Sequence, residues 1–78
     1  MNQNRRQRLA KVIDLLHGAE ADLDSIKDVE QDCIDAMPEN LQSSDRYSSM
    51  ENAVDCLEDA IESVQQATEY INDAINCG

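Results

Sequence analysis

The 78-residue chain has no phenylalanine or tryptophan, and it contains only two tyrosines, one proline and two glycines. Its core must therefore be built from Leu, Ile, Val, Met and Ala, a set that suits long helices better than a β-sandwich. A chain this short hides roughly 60% of its unfolded surface on folding. We expect one domain, residues 1–78, with no room for a deep catalytic pocket or a large cofactor. The length thus favours a binding protein over an enzyme.

The sequence also lacks a long apolar run and any closely spaced pair of cysteines. Its basic start is followed only by the short stretch 9–16, which Lys11 and Asp14 interrupt, so neither a signal peptide nor a membrane span is predicted. The cysteines are three in number, without a CxxC pair, and the one histidine is far from them. We therefore expect reduced thiols in a cytosol, no metal site and no membrane partner.

Two long stretches instead repeat apolar residues at alternating steps of three and four. The first series is Leu9, Val12, Leu16, Ala19, Leu23, Ile26, Glu30, Cys33 and Met37. The second series is Tyr47, Met50, Val54, Leu57, Ile61, Val64, Thr68, Ile71 and Ile75. Spacing of this kind is that of a heptad seam, and it predicts two amphipathic helices, at about 4–36 and about 45–76.

A polar segment at about 37–44 connects the two predicted helices. Pro38 ends the first helix, and the serine and aspartate residues that follow can cap the second. Ser48 followed by Glu51 also matches a capping box, which leaves two candidate starts for the second helix. A short connection makes long helices antiparallel neighbours. The sequence thus predicts an all-α fold, an antiparallel two-helix hairpin with heptad seams.

More apolar surface is present than two helices bury between them. The second helix repeats alanine every seven residues beside its seam, and the first carries further aliphatic residues beside its own. A lone hairpin would leave this surface in water, so we predict self-association into a helical bundle, as a dimer or a higher homo-oligomer. The residues expected at this oligomer interface are Ala53, Ala60, Ala67, Ala74, Ile13, Val29 and Ile34.

Positive charge is scarce, since six lysines and arginines face seventeen carboxylates and the formal net charge is −11. Four of the six cations lie in the first eleven residues, namely Arg5, Arg6, Arg8 and Lys11. Arginines near a helix N-terminus, where free N–H groups also attract anions, predict a phosphate site. A second cluster lies at the start of the second helix. The candidate ligand-binding residues are Arg5, Arg6, Arg8, Ser44, Arg46 and Tyr47, although capping and charge balance also explain them.

Most carboxylates fall on outward positions of the two predicted helices. The simple interpretation is a solvated face that keeps the protein soluble. The alternative is that carboxylates on a rigid rod imitate nucleic-acid phosphates and capture a basic host protein. The same negative charge argues against direct binding to DNA.

Motifs spread over nearly the whole chain carry a family resemblance. They are Asn4-Arg5-Arg6-x-Arg8-Leu9, Met37-Pro38-Glu39-x-Leu41-Gln42-x-Ser44-x-Arg46, Met50-Glu51-x-Ala53 and Leu57-Glu58-Asp59-Ala60-Ile61. In this order they resemble small uncharacterised acidic helical proteins encoded by phages and prophages of Gram-positive bacteria. The turn with Arg46 and the run at 57–61 are also similar, with different spacing, to short helical phage proteins that sequester cyclic-nucleotide immune signals.

The resemblance implies a phage protein in the cytosol of a bacterial host, and the size implies action by binding. We therefore expect a non-enzymatic, cofactor-free protein that interferes with a host process, above all antiviral defence, by sequestering a phosphorylated or nucleotide signal in an oligomer. Two alternatives remain open. One is the acidic nucleic-acid mimic that occludes a host nucleic-acid-binding protein, and the other is a helical adaptor or assembly protein without a ligand.

Overall fold

The structure, a computed structural model, describes residues 1–77. It contains two antiparallel α-helices of 33 residues, α1 (Gln3–Asp35) and α2 (Asp45–Cys77). A single 3₁₀ turn, Glu39–Leu41, lies in the connection, and residues 1–77 contain no β-strand. The prediction of an all-α helical hairpin is confirmed. The observed helix bounds lie within one residue of the expected ones.

The hairpin is a thin rod of 60 × 16 × 12 Å. Its radius of gyration is 17.7 Å, whereas a compact domain of this length has about 11.5 Å. We call residues 1–11 and 67–77, which lie together, the open end. Residues 28–46, around the connection, are the turn end. Residues at the open end are therefore far from residues at the turn end.

Hydrogen bonds at the two helix starts define where each helix begins. The Asn2 side chain accepts from the backbone N–H of Arg5 at 2.9 Å and caps α1. The Ser44 hydroxyl accepts from the N–H of Tyr47 at 3.2 Å and donates to the carbonyl of Leu41 at 2.6 Å. Ser44 is thus the N-cap of α2. Ser48 lies one turn inside the helix, with its N–H bonded to the Ser44 carbonyl at 3.2 Å.

The interior between the helices is narrow. Among residues 1–77, four residues are buried, namely Ile13, Ile34, Val54 and Thr68. The residues of α2 expected to face its partner are all buried or half-buried, from Tyr47 to Ile75. Thr68 is tolerated there because its hydroxyl donates to the carbonyl of Val64 at 3.0 Å, which satisfies the polar group within the helix.

The inner face of α1 shares every second residue with the expected heptad seam and differs from it at the positions between them. Its buried and half-buried residues are Arg6, Leu9, Ile13, Leu16, Glu20, Leu23, Lys27, Glu30 and Ile34, followed by Met37 beyond the helix end. Four residues of the expected seam are exposed instead, namely Val12, Ala19, Ile26 and Cys33. The residues that are buried in their place include Ile13 and Ile34. Long side chains such as Lys27 lie with their apolar stems along the contact while the charged group reaches water.

Candidate functional site

Two of the predicted ligand-binding arginines lie side by side at the open end. Arg5 and Arg8 are exposed on the first turns of α1. Together with Met1, Leu9 and Val12 they line an open groove of about 380 Å³. The groove combines an apolar floor with guanidinium groups, which is the pairing of surfaces that an anion with an apolar body requires.

The charges of these arginines are not balanced by neighbouring carboxylates. Among the side chains of residues 1–77, the one ion pair is Lys27 to Asp24 at 3.6 Å. α1 has no acidic residue in its first turn and no basic residue in its last. Because a helix macrodipole favours anions at the N-terminus and cations at the C-terminus, this distribution opposes helix stability. The arginines therefore do not contribute to the stability of α1 through its macrodipole.

Arg6 occupies a different environment from its two neighbours. It is half-buried on the inner face of α1, and its Nε atom is enclosed without a hydrogen-bond partner. Leaving such a donor unsatisfied costs about 1–3 kcal/mol. Arg6 thus belongs to the contact with α2 and does not share the exposed groove.

The second predicted cluster contributes one projecting side chain. The Ser44 hydroxyl is used in capping α2, and Tyr47 is half-buried against α1 in a groove that Ile34 also lines. Arg46 is exposed. It lies at the turn end of a rod 60 Å long, whereas Arg5 and Arg8 lie at the open end. A single chain therefore does not bring the two predicted clusters together.

The residues expected at the oligomer interface fall into two groups. Ile13 and Ile34 are 9% and 5% exposed and are buried against α2 within the hairpin, so they are not available to a second chain. Of the remaining residues, two are exposed and three are half-buried. Val29 and Ala53 are exposed, and the other three alanines are half-buried, namely Ala60, Ala67 and Ala74.

Each helix carries a second set of residues at heptad spacing beside its inner face. The outer stripe of α1 consists of Val12, Leu15, Ala19, Asp22, Ile26, Val29 and Cys33. The outer stripe of α2 consists of Ala53, Cys56, Ala60, Ser63, Ala67, Tyr70, Ala74 and Cys77. Leu15, Ile26 and Val29 are 73%, 56% and 62% exposed, and Tyr70 is 66% exposed. In the sequence, the first stripe is indicated by two pairs of adjacent aliphatic residues, at 12–13 and at 15–16, because only one residue of each pair can face α2.

The two outer stripes share one side of the hairpin. Stripe residues directly precede residues of the inner face, as Val12 precedes Ile13 and Ala53 precedes Val54. Since successive residues of an α-helix are about 100° apart around its axis, each stripe is rotated by about 100° from the inner face of its helix. Because the two helices are antiparallel, these equal rotations turn both stripes to the same side. The opposite side is identified by a groove that residues of both helices line, namely His17, Glu20, Ala21 and Asp24 with Ile61 and Gln65. Since all of these residues lie away from the stripes, the stripes together form one continuous surface. We call it the association face.

Two further findings concern the same residues. No helix formed by residues 1–77 combines the length and the apolar character that crossing a bilayer requires. This part of the chain also contains no group of three or more His, Cys, Asp or Glu side chains placed to hold a metal ion. Comparisons with protein-family models, with curated proteins and with solved structures gave no significant match to the chain.

Proposed function

We propose that the protein acts without catalysis, as a self-associating helical protein that captures a phosphorylated, nucleotide-type anion at its open end. The observation that carries the proposal is the groove of Arg5 and Arg8, whose charges have no carboxylate partner among residues 1–77. The function that the resemblance to phage proteins implies, interference with host antiviral defence, is part of this proposal. In this proposal the protein removes a signalling molecule from solution and does not convert it chemically.

The chemistry of the groove favours this class of ligand. A guanidinium group matches a phosphate with two parallel N–H donors, and it also stacks on flat rings. Leu9 provides an apolar surface for a base or a sugar. The many exposed carboxylates elsewhere on the rod repel anions, so an anionic ligand is directed to the end where the arginines lie.

Isothermal titration calorimetry with a panel of linear and cyclic nucleotides tests the proposal. We expect binding by the native chain and a loss of at least about tenfold in affinity for Arg5→Ala with Arg8→Ala, since a charge-assisted hydrogen bond contributes about 1.5–3 kcal/mol. Lys27→Ala is the control for the loss of a cation elsewhere, because it removes one positive charge from the middle of the rod; the Arg5→Ala and Arg8→Ala single variants are each compared with it. The absence of heat with every nucleotide would contradict the proposal.

A second candidate function is the occlusion of a basic host protein. The observation that favours it is the exposure of the carboxylates that were expected on outward positions, along the full 60 Å of the rod. They are Asp14, Asp24, Asp28, Asp35, Asp55, Glu58, Asp59, Glu62, Glu69 and Asp73. An immobilised chain would retain nucleic-acid-binding proteins in a salt-sensitive manner and prevent their binding to DNA. Unchanged retention by a variant with Glu58→Gln, Asp59→Asn and Glu62→Gln would argue against it.

A further inference from the structure

The association face has the properties of a docking surface for a second copy of the chain. We infer that two hairpins pack face to face and end over end, so that α1 lies antiparallel on α1 and α2 lies antiparallel on α2 in a four-helix bundle. This inference rests on the self-association within the proposed function. It adds the face, the orientation and a ligand site that only two copies complete.

The area of exposed surface fits one additional partner. The chain exposes 5650 Å², whereas a compact monomer of its mass, 8.7 kDa, exposes about 4700 Å². The excess of roughly 900 Å² is close to the roughly 800 Å² that each partner buries in a standard interface. Covering the association face once would therefore give the chain the exposure of an ordinary folded protein.

The angular position of the stripes fits a bundle of four helices. On each helix the outer stripe and the inner face are separated by about 100°, which is close to the right angle between the two neighbours of a helix in a square bundle. Both stripes keep the heptad spacing of helices that pack along their length. Small residues predominate on α2, from Ala53 to Ala74, and they permit close approach of two α2 helices.

Charge selects the orientation. The open end carries four side-chain cations and two carboxylates, whereas the turn end carries one cation and six carboxylates. Two hairpins that pointed the same way would place like charges together at both ends. End-over-end docking instead places the cations of each copy against the carboxylates of the other, which lowers the electrostatic free energy and determines the partner's direction.

The residues that would meet in the fully overlapped register are complementary along α1. In this register Leu15 faces Ile26 of the second copy, and Val12 faces Val29 of the second copy. At the outer edge of the contact, Lys11 lies beside Asp32 of the second copy. Aliphatic side chains thus meet on either side of Asp22, which lies near the twofold axis in both copies. At the rim, the pair of Lys11 and Asp32 is attractive, whereas Asp14 lies beside Asp28 of the second copy.

The α2 helices are complementary in size in the same register. Tyr70 faces Ala53 of the second copy, so a large side chain meets a small one. At the outer edge, Asp59 lies beside Gln66 of the second copy, and Asp73 lies beside Asn52. The same edge also brings Glu62 beside Glu62 of the second copy, so the acidic α2 helices meet through both carboxylate–amide and carboxylate–carboxylate pairs.

The same docking brings the two separate arginine clusters to one place. The heptad spacing of the α2 stripe continues through Ser49 to Arg46, and that of the α1 stripe continues through Arg8 to Arg5. End-over-end packing puts Arg46 of the second copy at the open end that carries Arg5 and Arg8. Each end of the dimer would therefore hold arginines from both copies, and an anion bound there would compete with the partner's turn-end carboxylates for Arg5 and Arg8.

The oligomeric state is the first test. Sedimentation equilibrium of the native chain should give twice its mass of 8.7 kDa. Leu15→Glu and Val29→Glu should shift it to the mass of one chain, since both residues are exposed in the hairpin and adding charge there disrupts only the face. Ala10→Glu, on an exposed position outside the stripes, is the control and should leave the dimer intact. A native monomer, or a dimer that survives Leu15→Glu, would overturn the inference.

Cross-linking tests the orientation and does not depend on how these variants fold. In a background with Cys33→Ser, Cys56→Ser and Cys77→Ser, a chain with Leu15→Cys is mixed with one carrying Ile26→Cys and oxidised. End-over-end docking predicts a covalent dimer in this mixture. Hairpins that pointed the same way would instead bring Leu15 to Ala67 of the second copy, so cross-linking only between Leu15→Cys and Ala67→Cys chains would overturn the orientation.

Complementation tests the composite site. A chain with Arg5→Ala and Arg8→Ala and a chain with Arg46→Ala should each bind nucleotide weakly. Heterodimers formed by mixing them regain one intact site, so binding should return in the mixture but in neither chain alone. A dimer in the expected orientation without such recovery would overturn the composite site. A native dimer that binds no nucleotide would contradict the proposed function and leave the docking intact. A native monomer that binds nucleotide would contradict the docking and leave nucleotide capture intact.

Discussion

α1 and α2 have the same length, 33 residues each, but they distribute their apolar side chains differently. α2 concentrates its large aliphatic residues on the inner face and leaves small residues on its outer stripe, with Tyr70 as the exception. α1 has large aliphatic residues on both faces, so that Leu16 is half-buried while Leu15 is 73% exposed. The difference shows that α2 has one face of large side chains and one face of small ones, whereas α1 has two faces of large side chains.

The strongest test of this difference places the same charge on the inner and the outer face of α1. Ile34→Asp buries an unpaired carboxylate at a position that is 5% exposed, and it should cost more than about 3 kcal/mol. We expect most of the helical signal in far-ultraviolet circular dichroism to be lost at 25 °C. Ile26→Asp should retain that signal and lose the dimer. Equal loss of helix in both variants would contradict the assignment of separate faces.

Adjacent truncations test the same boundary more gently. Ile13→Ala removes a side chain that is 9% exposed and should lower the free energy of unfolding by about 2 kcal/mol. Val12→Ala, one residue earlier and 40% exposed, should cost less than about 1 kcal/mol. Urea denaturation measures both values. We expect the Val12 effect to disappear on dilution to the monomer, and an effect there as large as that of Ile13 would place Val12 on the inner face.

The start of α2 provides a smaller and more local comparison between two serines. Ser44→Ala removes the N-cap hydroxyl and should lower the free energy of unfolding by about 1 kcal/mol. Ser48→Ala lies on an exposed position inside the helix and should change it by less than about 0.5 kcal/mol. Thermal unfolding of the two variants measures the difference. The reverse order would indicate that α2 begins one turn later than the structure shows.

The smallest expected effect concerns the polar residue on the inner face of α2. Thr68→Val replaces a hydroxyl that is already bonded to the Val64 carbonyl with a methyl group of similar size. Because no buried group is left unsatisfied, the free energy of unfolding should change by less than about 0.5 kcal/mol. A loss of 2 kcal/mol or more in urea denaturation would show that the hydroxyl has a partner outside the hairpin.

A region could be predicted from the sequence where its apolar pattern fits one helix face, and could not where the pattern fits two. The inner face of α2 could be read from the sequence because one pair of columns, from Tyr47 to Ile75, holds nearly all of its bulk. α1 allowed two readings, since Val12 and Ile13 are both aliphatic and only packing decides between them. The start of α2 was ambiguous for the same reason, because Ser44 and Ser48 both satisfy the rules for a cap.

The arginine clusters show the same limit for the candidate site. Their residue types and their closeness to helix starts could be read from the sequence. That Arg6 turns inward while Arg5 and Arg8 line a groove, and that Ser44 is used as a cap, depends on which side of each helix meets the other.

The sequence alone determined that this chain forms two long helices, where Pro38 breaks them, and that positive charge gathers at one end. These properties follow from local preferences and from counting, which need no knowledge of the neighbours. The tertiary structure decided which column of α1 is buried, which side of the hairpin carries both outer stripes, and that 60 Å of rod separates the two arginine clusters. Such properties depend on the rotation and direction of one helix relative to the other, and side-chain packing sets these only after the chain has folded back on itself.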